Sequence, residues 1–181
     1  IAYISDASDD RDICNDNAAY IMEVTSGATR VVSEGLHHVA SLAWAPNSKR
    51  LVAIGSDDPE VGSAWQGMLW VLEAGSSPRA ITDDSIRPAA GFMPVSFPPE
   101  IRWTSDDRVL FLADARGESF LCEASPTAGE ARKLTSSNPA IASVAFDAKA
   151  NSAVVSITPS DSTGNLHLID LISGSSRQLT H

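Results

Sequence analysis

Four times in 181 residues an arginine is followed by any residue, an apolar residue and a hydroxyl. The matches are RVVS from Arg30, RAIT from Arg79, RKLT from Arg132 and RQLT from Arg177, spaced 49, 53 and 45 residues apart. Upstream of each lies a short apolar run that closes on an acid: AYIME at Glu23, LWVLE at Glu73, FLCE at Glu123 and HLID at Asp170, spaced 50, 50 and 47 residues apart. A period of this length marks an array of like supersecondary units, each of which buries its apolar face only against a neighbour.

Two more strands complete the unit. LAW at Trp44, IRW at Trp103 and VAF at Phe146 each precede a short polar turn and an apolar run, RLVAIGS, RVLFLAD and SAVVSIT. Each unit therefore reads as strand A, tight turn, strand B, loop, strand C, Ser/Gly turn, strand D. The runs are rich in Val, Ile, Leu and Thr and are broken by Asn, Asp, Gly and Pro, and no helical periodicity of useful length occurs. This predicts an all-β chain of four-stranded antiparallel β-propeller blades, near residues 1–35, 38–84, 98–137 and 140–181. B strands are expected near 1–5, 50–56, 108–113 and 152–157. Because Ile1 opens directly on a B strand, the first of the four blades is expected to be incomplete and the array to be part of a larger propeller.

The repeated residues are expected to be scaffold. The acid and the Arg flank a C-to-D turn, where they can face each other as a cross-strand pair. Trp44, Trp103 and Phe146 share one repeat position and are expected to pack between blades.

The unrepeated residues carry more functional information. A-to-B and C-to-D turns are short, whereas the B-to-C and D-to-A connections vary and include residues 6–17, 57–67 and 83–98. In a blade both variable connections emerge on the same face, and elaborated loops on a rigid scaffold are where binding concentrates. Those connections carry Asp6, Asp9, Asp10, Asp12, Asp16, Glu34, Asp57, Asp58, Glu60, Asp83, Asp84, Asp114, Glu118 and Asp161, against only Arg11, Arg87 and Arg116. The formal net charge of -10 thus lies essentially on one face. A candidate acidic binding face follows, centred on Asp6, Asp9, Asp10, Asp12, Asp57, Asp58, Glu60 and Trp65. Its field favours cations and peptide amines and disfavours nucleic acid and anionic membranes as partners. No apolar run approaches the ~20 residues of a membrane-spanning helix.

Catalytic and metal signatures are missing from the sequence. DASDDRDICNDN is dense in oxygen donors but lacks the Gly and closing Glu of an EF-hand loop. There is no G-x-S-x-G elbow and no Gly-rich phosphate loop, and His37, His38, His167 and His181 show no ligand spacing with Cys or Glu. His37 and His38 are adjacent and, in extended backbone, would point opposite ways. Neither a catalytic residue, a metal nor a cofactor is expected. Phe92, Met93 and Phe97, like Trp65, are apolar groups expected to anchor long loops. Cys14 and Cys122 belong to non-neighbouring blades and are expected to be unbridged, since a disulfide needs Cα atoms within ~7 Å.

LAWAPNSKRLVAIGS resembles the W-S-P-D-G turn and following strand of TolB and prolyl-oligopeptidase propellers. The stretch VLFLADARGESFLCEASPTAGEARKLT, with IASVAFDAKANSAVVSITPSDSTGNLHLIDLISGSSRQLTH, resembles the last two blades of acylaminoacyl-peptidase-like members of the S9 serine peptidase family. Ser48, Asp107 and Ala150 stand where that motif has its turn Gly, and Phe146 where it has Trp. The resemblance implies a non-catalytic propeller that restricts peptide access to an α/β-hydrolase domain expected downstream, where the family's catalytic residues reside. The implied partners are that domain, the remaining blades and short peptides; separately, an open arc of blades leaves apolar end faces uncovered, so the isolated chain is expected to self-associate or to bind the missing blades. The alternative is a TolB-like module that binds proteins and has no peptidase domain.

Overall fold

The strand Arg50–Ser56 buries every residue but its first, so both of its faces must be covered, as the continuous apolar run LVAI requires. A computed structural model, which describes residues 1–6, 16–60, 67–89, 100–105, 107–135, 140–158 and 163–180, supplies both covers. Four antiparallel sheets follow one another along the chain. The first orders β1 (Ala2–Ser5), β2 (Ala18–Met22) and β3 (Thr29–Val31), and the second β4 (His37–Trp44), β5 (Arg50–Ser56), β6 (Met68–Glu73) and β7 (Arg79–Ala80). In the third, β10 (Arg108–Ala115), β11 (Glu118–Ser125) and β12 (Glu130–Lys133) are joined on the far side of β10 by both β8 (Arg87–Pro88) and β9 (Ile101–Ser105). The fourth orders β13 (Ile141–Phe146), β14 (Ser152–Ile157), β15 (Asn165–Asp170) and β16 (Ser176–Gln178). All the described elements are strands, and the four expected B strands are β1, β5, β10 and β14.

Three apolar cores lie between consecutive sheets. Ala19, Val39, Leu51, Trp70 and Leu72 join the first sheet to the second. Ile54, Val71, Trp103, Phe111 and Cys122 join the second to the third, and Leu110, Leu121, Val155 and Ile169 join the third to the fourth. Alternation explains this division, since Val52 and Ile54 face one neighbour while Leu51 and Ala53 face the other. Arginines bridge the same junctions: Arg79 donates to the Pro126 carbonyl, Arg102 donates to Ala148 O at 3.1 Å, and the Arg50 guanidinium lies 5.3 Å from the Trp103 ring centroid. Trp103 and Phe146 pack between sheets as expected. Trp44 does not, because none of the three described strands of the first sheet covers it, and it remains 38% exposed.

The third sheet reaches back beyond residue 98. Strand A is bulged between His37 and Ser41 in the second sheet and between Ile141 and Ser143 in the fourth. At the corresponding place in the third, strand A is split. Pro88 pairs with Ala113, Ile101 pairs with Phe111, and the intervening residues are inserted at the bulge. Bulges already leave a residue unpaired, so the ladder resumes after an insertion there at little cost.

In the first, second and fourth sheets the repeated hydroxyl closes strand D, whereas Thr135 Oγ1 of the third is buried without a hydrogen bond among the described residues. The N–H groups of Ala19, Leu69 and Leu166 donate to Ser33 Oγ (2.8 Å), Thr82 Oγ1 (2.9 Å) and Thr180 Oγ1 (2.9 Å). A side-chain oxygen thus replaces the ladder carbonyl that the ending strand no longer supplies. The expected acid–Arg pair forms only in the third hairpin among the described residues. Glu123 sits opposite Arg132 and binds both Arg132 Nε (2.5 Å) and Arg108 Nε (2.7 Å). In the first and fourth sheets the acid instead caps the turn: Glu23 accepts from Ser26 Oγ, and Asp170 accepts from the N–H groups of Ile172 and Ser173.

Burial alone would raise the Glu123 carboxyl, but the hydrogen bonds from Arg108 and Arg132 outweigh it and hold the group below its usual range. The stability this contributes is complete above about pH 4.5, the ordinary value, and is lost as pH falls through the lowered folded value. Glu123→Ala should cost about 1–2 kcal/mol at neutral pH. Melting curves of wild type and variant should converge as the pH is lowered.

Two residues occupying the turn-Gly position of the repeat take the backbone conformation Gly would favour: Ser48 has φ 58° and Ala150 φ 52°. Ser48→Gly relieves a left-handed backbone without emptying a core and should stabilise the chain by about 1 kcal/mol, read as a raised denaturant midpoint. Residue 108 follows the A-to-B turn one position sooner after Trp103 than Arg50 does after Trp44, and Asp107 accepts hydrogen bonds from Ser125 Oγ (2.8 Å) and the Thr127 N–H (2.7 Å).

Candidate functional site

At the end of β5, the Asp58 N–H donates to Ser56 Oγ at 3.1 Å, and Asp58 Oδ1 accepts from the Glu60 N–H at 2.9 Å. These local bonds turn the B-to-C connection sharply out of the sheet, as short polar side chains do by competing with the ladder. The D-to-A connection of the same sheet turns in the same way, with Asp83 Oδ1 accepting from the Ser85 N–H (2.8 Å) and Ser85 Oγ (2.5 Å). Those bonds hold the Asp83 carboxyl below its usual range. Arg87 Nη2 lies 3.0 Å from Asp84 Oδ1.

The two connections meet across an open hollow of about 680 Å³ lined by Ser56, Asp57, Asp58, Met68, Asp83, Asp84, Ser85 and Arg87. Four carboxylates face one guanidinium there, so the hollow favours a cation or an ammonium group. Of the residues on which the sequence centred the face (Asp6, Asp9, Asp10, Asp12, Asp57, Asp58, Glu60 and Trp65), Asp57 and Asp58 line the hollow, and Glu60 is not among its lining residues. Asp83 and Asp84 entered only the charge count of the face, although both connections leave one sheet on one side.

Asp6 lies on the first sheet's part of the face, where the Asp16 N–H donates to Asp6 Oδ2 at 3.2 Å and Asp16 Oδ1 lies 2.9 Å from His37 Nδ1. Asp9, Asp10, Asp12 and Trp65 lie outside the described residues, as do Cys14, Phe92, Met93, Phe97, Asp161 and His181. Cys122 is a free, buried thiol, and burial pushes its pKa up to about 12, which leaves it an inert core group.

His37 and His38 do not point opposite ways. His38 has φ 54° at the bulge, and the two rings are 6.3 Å apart and tilted by 47°. The His37–Asp16 contact is the kind that orients a general base, but Asp16 is the only side chain shown hydrogen-bonded to the His37 ring among the described residues. Ser56, the strand partner of His37, spends its hydroxyl on the Asp58 carbonyl and N–H. Among the described residues no three His, Cys, Asp or Glu side chains converge to hold a metal ion.

No protein-family profile matches the sequence, and no curated protein matches it. Solved structures do. TolB from Acinetobacter baumannii superimposes with a TM-score of 0.66 at 19% identity over 99% of this chain. This chain has a TolB-like β-propeller fold. A Mycobacterium tuberculosis puromycin-hydrolyzing peptidase matches the propeller with a TM-score of 0.68 at 17% identity over 92% of the chain. An oligogalacturonate lyase in complex with manganese matches with 0.64 at 15% identity over 92%. The propeller described here spans 40%, 25% and 42% of those chains, respectively. Both groups to which the sequence is similar, TolB propellers and peptidases, therefore occur among its structural neighbours.

Proposed function

We propose that this propeller section is the non-catalytic part of a serine peptidase, restricting which peptides reach the active site of a following α/β-hydrolase domain. The observation that carries this reading is the division of the molecule into a plain face of short turns and an acidic face of long connections, which meet at the carboxylate-lined hollow of the second sheet. A propeller so placed adds no contact to the transition state. It sets which substrates arrive, and its carboxylates favour peptides with a free or basic amino end. The match to puromycin-hydrolyzing peptidases supports the reading.

A second reading is a TolB-like module that binds a protein partner through the same face. It draws on the match to TolB over 99% of the chain. The coding sequence beyond His181 discriminates between them. The peptidase reading requires an α/β domain with a G-x-S-x-G elbow, whose serine is labelled by a fluorophosphonate in the whole protein and not in residues 1–181. A whole protein without such a domain would remove the peptidase reading and leave the binding module.

A further inference from the structure

The second and third sheets are fastened to each other differently from the third and fourth. The Ile81 N–H donates to Leu69 O and the Leu134 N–H to Leu121 O, which fixes the equivalent register of the two sheets. Arg50 and Arg79 of the second therefore correspond to Arg108 and Arg132 of the third. Both arginines of the second sheet reach forward: Arg79 donates to the Pro126 carbonyl, and Arg50 lies over the Trp103 ring while its charge acts on Asp107. Their counterparts turn back to Glu123 of their own sheet, which stands where the second sheet has the uncharged Val71.

The target of Arg79 is the third C-to-D hairpin, in which 9 residues separate the acid from the Arg, against 6 or 7 in the other three. The added length carries the turn to Arg79, and Asp107 of the A-to-B turn holds it in shape by accepting from Ser125 Oγ (2.8 Å) and the Thr127 N–H (2.7 Å). The Ala128 N–H donates in turn to Ser125 Oγ at 2.9 Å. A Cβ added at Gly129 would lie 3.8 Å from Arg79 Nη1, so the backbone of the turn rests against the guanidinium. At the opposite end of the same seam, the hollow takes Ser56 and Met68 from strands of the second sheet, Asp57 and Asp58 from the connection between them, and Arg87 from the third sheet.

We propose that residues 125–130 form a strap, shaped by Asp107 and gripped by Arg79, that fastens the second sheet to the third. The two sheets then move as one body, and Asp57 and Asp58 keep a fixed relation to Arg87 whatever the hollow binds. The seam between the third and fourth sheets has no such strap, because Glu123 draws Arg108 and Arg132 back into their own sheet.

Cys122 provides a native reporter, since its buried thiol faces the second sheet and opening of that seam exposes it to a thiol reagent. Arg79→Gln should raise the native-state labelling rate of Cys122, followed by peptide mass mapping, roughly tenfold. Asp107→Ala should raise it comparably, and the double variant no further than the larger single effect, because both residues act through one hairpin. Deleting Thr127 and Ala128, which gives the hairpin the length of the first and fourth, should also raise labelling and leave Arg79→Gln without further effect. Val155→Cys in a Cys122→Ser background reports on the seam between the third and fourth sheets, and Arg79→Gln should leave its labelling unchanged. Circular dichroism confirms that each variant is folded. Unchanged Cys122 labelling in Arg79→Gln overturns the proposal. So do Arg79 and Asp107 effects that multiply, which would make them independent contacts, or an equal rise at Val155→Cys, which would mean that the whole stack loosens.

Discussion

Phe111→Ala should lower the stability of the chain by about 3–5 kcal/mol. The side chain is 1% exposed at the middle of β10, the strand that carries β11 on one side and both halves of strand A on the other. It faces the second sheet beside Trp103 of its own sheet and packs with Ile54 and Val71 of the second, so its removal opens a cavity at the junction between the two halves of the stack. A domain typically has only about 5–15 kcal/mol in total, so the urea midpoint should fall steeply. Amide exchange should rise first along β5 and β10, on the two sides of that junction. A loss under about 1 kcal/mol would mean that the second and third sheets do not pack as described.

The second large effect concerns the acidic hollow. Changing Asp57, Asp58, Asp83 and Asp84 together to Asn should weaken binding of a short peptide with a free amino end and a lysine by roughly ten- to thirty-fold at low salt. This takes a few tenths to 1 kcal/mol per exposed carboxylate. The difference should shrink as salt rises, because screening at physiological ionic strength limits such a field to about 8 Å. Asn keeps the oxygen that accepts from Ser85 and Glu60, and the lost Asp84–Arg87 pair and Asp83 charge are exposed and cost little. Weaker binding with little change in melting temperature is therefore the expected pair of results from calorimetry and thermal denaturation. Equal affinity at low salt would remove the hollow from the binding face.

Strand identity was legible because each B strand is a dense apolar run bounded by a polar turn, and a strand buried on both faces can be little else. The acid–Arg misreading was avoidable. The interval from acid to Arg is 7 residues at Glu23, 6 at Glu73 and 7 at Asp170, but 9 at Glu123. Only the longer third hairpin, which turns at residues 125–130, leaves its acid two positions short of the turn and opposite Arg132. The split of strand A left no such trace, since an insertion at a bulge reads as a long connection between blades. The His37–His38 geometry was equally hidden. It arises where the Val39 N–H leaves its own sheet to donate to Asn17 O of the first sheet at 2.9 Å, a long-range contact that no local pattern specifies. Asp83 and Asp84 were visible as charge, but their position opposite Asp57 and Asp58 follows only from both connections leaving the second sheet on one side.

The proposed binding face is the carboxylate-lined hollow, and the short hairpin turns lie away from it. The most direct measurement is an amide-shift titration of the isotope-labelled chain with the same lysine-containing peptide. The largest shifts should fall on residues 57–60, 67–68 and 83–86, with the hairpin turns at 23–28 and 125–130 unmoved. Shifts concentrated in those hairpins, or none around the hollow at low salt, would contradict it.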